Sequence, residues 1–80
     1  MTNEEIHKQL QIIFQDIFDD SSLEITRTTS AVDIEDWDSL AQINLIVASE
    51  KNFNVKFSLA DMAILNNVGD MLDLIASKSV

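Results

Sequence analysis

From Asn3 to Phe18 the apolar residues Ile6, Leu10, Ile13, Phe14, Ile17 and Phe18 recur at spacings of three and four. That period places them on one stripe of an amphipathic helix. Thr2, with Glu5 three residues on, has the form of a capping box, and Asp19-Asp20 followed by Ser21-Ser22 ends the pattern. From about Asp19 to Asp38 no period is sustained. Leu23, Ile25, Val32 and Ile34 stand as isolated apolar anchors among Asp, Ser and Thr. This predicts one long ordered loop with at most a short turn, and connections of that length are more often functional than idle. A second helix is predicted from Ser39 to Asn52, with Leu40, Ile43, Val47, Leu45, Ile46 and Ala48 as a broad apolar face. Phe53 to Phe57 alternates like a strand but has no evident partner, so it is assigned as a connector. Ser58 and Asp61 open a short helix ending near Leu65. Asn67 caps a last helix from Val68 to Ser77 with Val68, Met71, Leu72 and Ile75 inward. The expectation is an all-α fold: a small four-helix bundle, three longer helices and one short, with a long loop between the first and second helices. Residues 1–80 are expected to form a single domain.

Composition sharpens this picture. There is no proline and a single glycine, Gly69, so helices can run uninterrupted. There are no cysteines, which excludes disulfides and thiolate zinc sites. Hydrophobic residues make up 46%, enough for a core and too many for a disordered chain. Five basic against 14 acidic residues give a net charge of −9. Such a chain is repelled by nucleic acid and by anionic membranes, and is attracted to basic protein surfaces. No apolar run reaches the roughly 18 residues of a membrane span, and the start does not resemble a signal peptide. A cytoplasmic monomer with no nucleic-acid partner and no membrane insertion is expected.

The chemistry on offer is sparse. His7 is the sole histidine and is expected to be solvent-exposed and structural, because triads and histidine metal sites need partners the chain barely supplies. Asp33, Glu35, Asp36 and Asp38 fail as a calcium loop: counted from Asp33, the fifth position is Trp37 and the sixth is Asp38 where a glycine is required. They read as a solvated acidic loop or as a surface for a basic partner. Met62 and Met71 read as core filler. Ser39, followed by Gln42, has the form of a capping box, which alone would explain the serine. No base lies nearby in sequence to make it a nucleophile. The start of a helix is, however, a favourable place to attach an anion, because free N–H groups and the helix dipole face it. Ser39 is therefore a candidate modification site for another enzyme. No catalytic or metal site is expected.

Asp38-Ser39-Leu40, "DSL", opening an apolar helix, resembles the attachment motif of acyl carrier proteins. "LIVASEKNFNVKF" is similar to the end of that family's second helix and its connector, and "NNVGDMLDLI" to its last helix. The likeness runs without a gap from Asp38 to Ile75, and the first helix and loop match in length and character. The resemblance implies a carrier, not an enzyme. Ser39 would receive 4′-phosphopantetheine from coenzyme A through a phosphopantetheinyl transferase. The arm's thiol would hold acyl or aminoacyl groups as thioesters, for fatty-acid-like, polyketide or other specialised biosynthesis. Asp38 and Leu40 complete the motif, with Leu40 packed beneath it. Asp33, Glu35, Asp36 and Glu50 would meet basic docking surfaces on loading and downstream enzymes. Ile43, Ile46, Phe57, Met62, Leu65 and Met71 would line an acyl cleft, kept small by Met62 and Phe57. Trp37 would anchor the end of the loop. Asp36 replaces a common glycine, Ala41 and Asn44 replace common acidic residues, and Ser58 a common proline. These departures suggest a specialised stand-alone member. The alternative is an acidic helical adaptor of the same fold, without modification.

Overall fold

The computed structural model describes residues 2–78. Four helices follow one another: α1 (Asn3–Ile17), α2 (Ser39–Phe53), α3 (Leu59–Ala63) and α4 (Val68–Lys78). No strand occurs among the described residues, and Phe53 to Phe57 is a connector as expected. Each predicted boundary lies within two residues of the observed one. Thr2 accepts from the Glu5 N–H, which starts α1, and Ser58 and Asp61 form a full capping box on α3. Asn54 ends α2 by adopting the left-handed conformation, φ 55°, which asparagine tolerates.

α1 packs against both α2 and α4. Ile6, Leu10, Ile13 and Phe14 supply its buried stripe, with Ile17 and Phe18 packed at the margin. Leu45, Ile46 and Phe53 from α2, Val55 and Phe57 from the connector, and Val68, Met71, Leu72 and Ile75 from α4 complete one core. The expected apolar face of α2 splits in two. Leu45 and Ile46 are buried, whereas Leu40, Ile43 and Val47 are 66%, 57% and 42% exposed. These three share the opposite side at spacings of three and four.

The long loop is ordered because its backbone polar groups find partners on two helices. On α1, His7 Nε2 lies 2.7 Å from the Ile25 carbonyl, Gln11 Oε1 accepts from the Ile25 N–H at 2.9 Å, and Gln15 Nε2 donates to the Leu23 carbonyl at 2.9 Å. His7 is thus half-buried and stitched to the loop, not a free surface residue. On α4, the N–H groups of Val68 and Gly69 donate to the carbonyls of Thr29 (2.8 Å) and Arg27 (2.9 Å). Those two bonds satisfy helix-start donors that would otherwise be orphaned. The approach also explains the glycine, since a Cβ on Gly69 would meet the Arg27 carbonyl at 2.8 Å. Ile25 and Ile34 are buried anchors and Leu23 is half-buried, but Val32 is 92% exposed and anchors nothing.

Candidate functional site

The loop delivers its last residues to the start of α2. Trp37 is held there by an edge-on contact with Phe14, with ring centres 5.2 Å apart, and by Phe18 at 6.3 Å. Its Nε1 donates to Gln42 Oε1 at 2.6 Å. This is the anchoring role expected of Trp37, and it fixes the direction in which α2 begins.

The cap of α2 is Asp38, not Ser39. The Asp38 carboxylate accepts from the Ala41 N–H at 2.8 Å, and its carbonyl accepts from the Gln42 N–H at 2.9 Å. The Ser39–Gln42 capping box read from the sequence does not form, because Gln42 is turned to Trp37 and the carboxylate one residue earlier takes the capping bond. Ser39 is consequently the first helical residue, exposed, and its hydroxyl has no hydrogen-bond partner among the described residues. The serine is held in place by its neighbours and left chemically free. The backbone N–H groups of Ser39 and Leu40 point out of the first turn of α2, as at any helix start.

Around it, an open groove is lined by Ala31, Trp37, Asp38, Ser39, Gln42 and Ile43. A cavity of about 70 Å³ lies behind, bordered by Ala31, Trp37, Gln42, Leu65, Asn66, Asn67 and Met71. Of the residues expected to line a cleft, Leu65 and Met71 border this cavity and Ile43 borders the groove. Ile46 and Phe57 are core residues, and Met62 is packed partly against the core. Met71 borders the cavity, whereas Met62 and Phe57, expected to keep it small, do not line it. Leu40 does not pack beneath the motif; it is exposed.

The acidic residues divide similarly. Glu35 and Asp36 are exposed, and Asp33 is exposed while closing its own turn through the Ser30 N–H at 2.9 Å. Glu50 is turned inward: its carboxylate accepts from the Phe57 N–H at 2.9 Å, which secures the connector. Ala41 is buried and Asn44 exposed, so only Asn44 stands at a surface where a missing charge could be felt. No cluster of metal-ligating side chains occurs among the described residues.

No family model matches the chain. Individual proteins do. An acyl carrier protein of Rhodococcus erythropolis is 35% identical over 71 residues, which cover 89% of this chain and 78% of that protein. One from Acidothermus cellulolyticus is 30% identical over 80 residues, covering all of this chain and 95% of the relative. The chain belongs to the acyl carrier protein family. The solution structure of a holo acyl carrier protein from Geobacter metallireducens superposes with a TM-score of 0.86 at 46% identity, covering 91% of this chain and 84% of that one. The four-helix bundle is therefore an acyl carrier fold. A meromycolate extension acyl carrier protein of Mycobacterium leprae is 35% identical over 75 residues, and the chain spans 65% of its length. Among the described residues no helix is long and apolar enough to cross a membrane.

The sequence pointed to the loop end and to Ser39, but missed the stripe of His7, Gln11 and Gln15 on α1. Those residues recur every fourth position, and three hydrogen-bonding side chains on one helix face beside an aperiodic loop are a legible signal.

Proposed function

We propose that this chain is a carrier whose Ser39 hydroxyl takes 4′-phosphopantetheine. The observation that carries the reading is the exposed, unengaged hydroxyl on the first residue of α2, freed by the Asp38 cap. Transfer joins Ser39 Oγ to the phosphorus that bears pantetheine in coenzyme A, and the nucleotide half leaves with the other phosphate. The hydroxyl proton passes to a base of the transferase, because no base of this chain is bonded to Ser39. Once attached, the phosphate lies at the positive end of a 15-residue helix, a favourable position for an anion. The arm supplies a terminal thiol for thioesters with acyl or aminoacyl groups, which accounts for a carrier without cysteine.

The partners are the phosphopantetheinyl transferase, a loading enzyme and downstream biosynthetic enzymes. Glu35 and Asp36 supply exposed charge beside Ser39, and Leu40, Ile43 and Val47 form an exposed apolar stripe leading away from it. Basic surfaces with an apolar centre fit this combination. The chain acts as one domain in the cytoplasm, and the neutral Asn44 favours a specialised pathway over general fatty-acid synthesis.

The test is intact mass after incubation with coenzyme A, magnesium and a broad-specificity transferase. One added phosphopantetheine is expected on the wild type and none on Ser39→Ala. A wild type left unmodified by several transferases would favour the unmodified adaptor.

A further inference from the structure

The groove at Ser39 adjoins the small cavity, and Ala31, Trp37 and Gln42 border both. The lining of that cavity includes three polar side chains. Gln42, Asn66 and Asn67 are carboxamides, set among Trp37, Leu65 and Met71. Two of the amides are oriented by chemistry that admits one arrangement. Trp37 Nε1 only donates, so Gln42 must present its oxygen, at 2.6 Å. The Asp70 backbone N–H only donates, so Asn67 must present its oxygen, at 2.9 Å. The NH₂ groups of Gln42 and Asn67 are therefore left without an acceptor among the described residues. Both side chains are half-buried, so a partner for those donors is worth more than it would be in open water.

The cavity's dimensions restrict what could reach it. About 70 Å³ holds a few water molecules or a short chain, not a long alkyl group. Its apolar walls suit a few carbons, and its donors require an oxygen acceptor. A carboxylate is disfavoured, because Asp38 borders the groove, the Asp70 carboxylate accepts from the backbone N–H of Asn66 at the cavity's edge at 3.0 Å, and the chain carries a net charge of −9. A neutral oxygen is what remains.

We propose that the cavity receives a short acyl group with a second, neutral oxygen (a hydroxyl, keto or amide oxygen a few atoms from the thioester), which accepts from the NH₂ groups of Gln42 and Asn67. This rests on the carrier reading of Ser39 and names the class of cargo for it.

The experiment loads the holo protein with butyryl or 3-hydroxybutyryl groups, verifies each species by intact mass, and records the side-chain NH₂ signals in ¹⁵N-labelled protein. The Gln42 and Asn67 NH₂ signals should shift with 3-hydroxybutyryl and stay at their holo positions with butyryl. The oxygenated cargo should also raise the melting temperature more. Two variants check the donors. Asn67→Ser keeps an oxygen to cap α4 and loses the NH₂; Gln42→Glu keeps an oxygen for Trp37 and loses its NH₂. Each should erase part of the difference between the two cargoes. Equal responses to both cargoes would overturn the inference. So would shifts already complete on going from apo to holo protein, which would give the cavity to the arm's own amide carbonyls. Failure to gain the arm's mass would instead overturn the carrier reading, and this inference with it.

Discussion

At the scale of single residues, the decisive detail is that neighbouring side chains divide two tasks. Asp38 caps α2 and Ser39 is left free. Ser39→Ala should therefore melt within experimental error of the wild type, whereas Asp38→Ala should lose about 0.5–2 kcal/mol, the usual cost of a missing cap; paired thermal and urea melts decide this. A large loss from Ser39→Ala would return the cap to the serine. Ser49 presents the opposite situation. It is completely buried on α2 and its hydroxyl has no hydrogen-bond partner among the described residues. A buried, unsatisfied hydroxyl costs about 1–3 kcal/mol, and alanine is also the better helix former. Ser49→Ala should raise stability by about 1 kcal/mol, read as a higher urea midpoint at unchanged slope. Neither residue's state is legible in sequence. Serine before a helical run has the same appearance whether it caps or follows the cap, and a serine at a core position breaks no period.

Among the elements, the helices were legible because the apolar spacing of α1 and α4 is strict and because Thr2, Ser58 and Asn67 mark helix starts with short polar side chains. The two-sidedness of α2 was not legible. Leu40, Ile43 and Val47 are as apolar as Leu45 and Ile46, and only the placement of α1 and α4 decides which set is covered. The candidate site was legible as a position, Ser39 at the end of an acidic loop. Its polar cavity was not, since Asn66 and Asn67 in a linear reading are merely the start of a helix. The junction of loop and α4 supplies a test in which sign matters. In a helix, Gly→Ala ordinarily gains about 0.5–1 kcal/mol. At Gly69 the new Cβ would lie 2.8 Å from the Arg27 carbonyl, which cannot retreat without giving up its bond to the Gly69 N–H. Gly69→Ala should lose about 1–3 kcal/mol instead, measured by urea unfolding. A gain would show that the loop is not held against α4.

For the whole molecule, charge and its pairing set the response to acid. The Ser58 N–H, together with Lys78 at 2.9 Å, holds the Asp61 carboxyl below its ordinary value. A hydrogen bond from Arg27, at 2.8 Å, does the same for Asp73. A carboxyl lowered in the folded state contributes its full stabilisation above its unfolded pKa. That contribution is lost as pH falls through the folded value. Stability should accordingly decline from the ordinary carboxylate range downward, with a shallower decline in Asp61→Asn and Asp73→Asn and in added salt; urea midpoints across that range measure it. The same inventory shows how little secures α3. It has no buried residue, and its specific attachments are the Ser58–Asp61 box and the Lys78 ion pair, with Met62 packed partly on the core. Amides of Leu59–Ala63 should exchange with solvent far faster than those of the buried faces of α1 and α4, by local opening rather than global unfolding. Robustness and permeability then belong to different parts of the chain. Substitutions that raise the melting temperature through α1 or α4 would leave unchanged how often the wall beside Leu65 parts, so the molecule could be hardened against heat without being sealed.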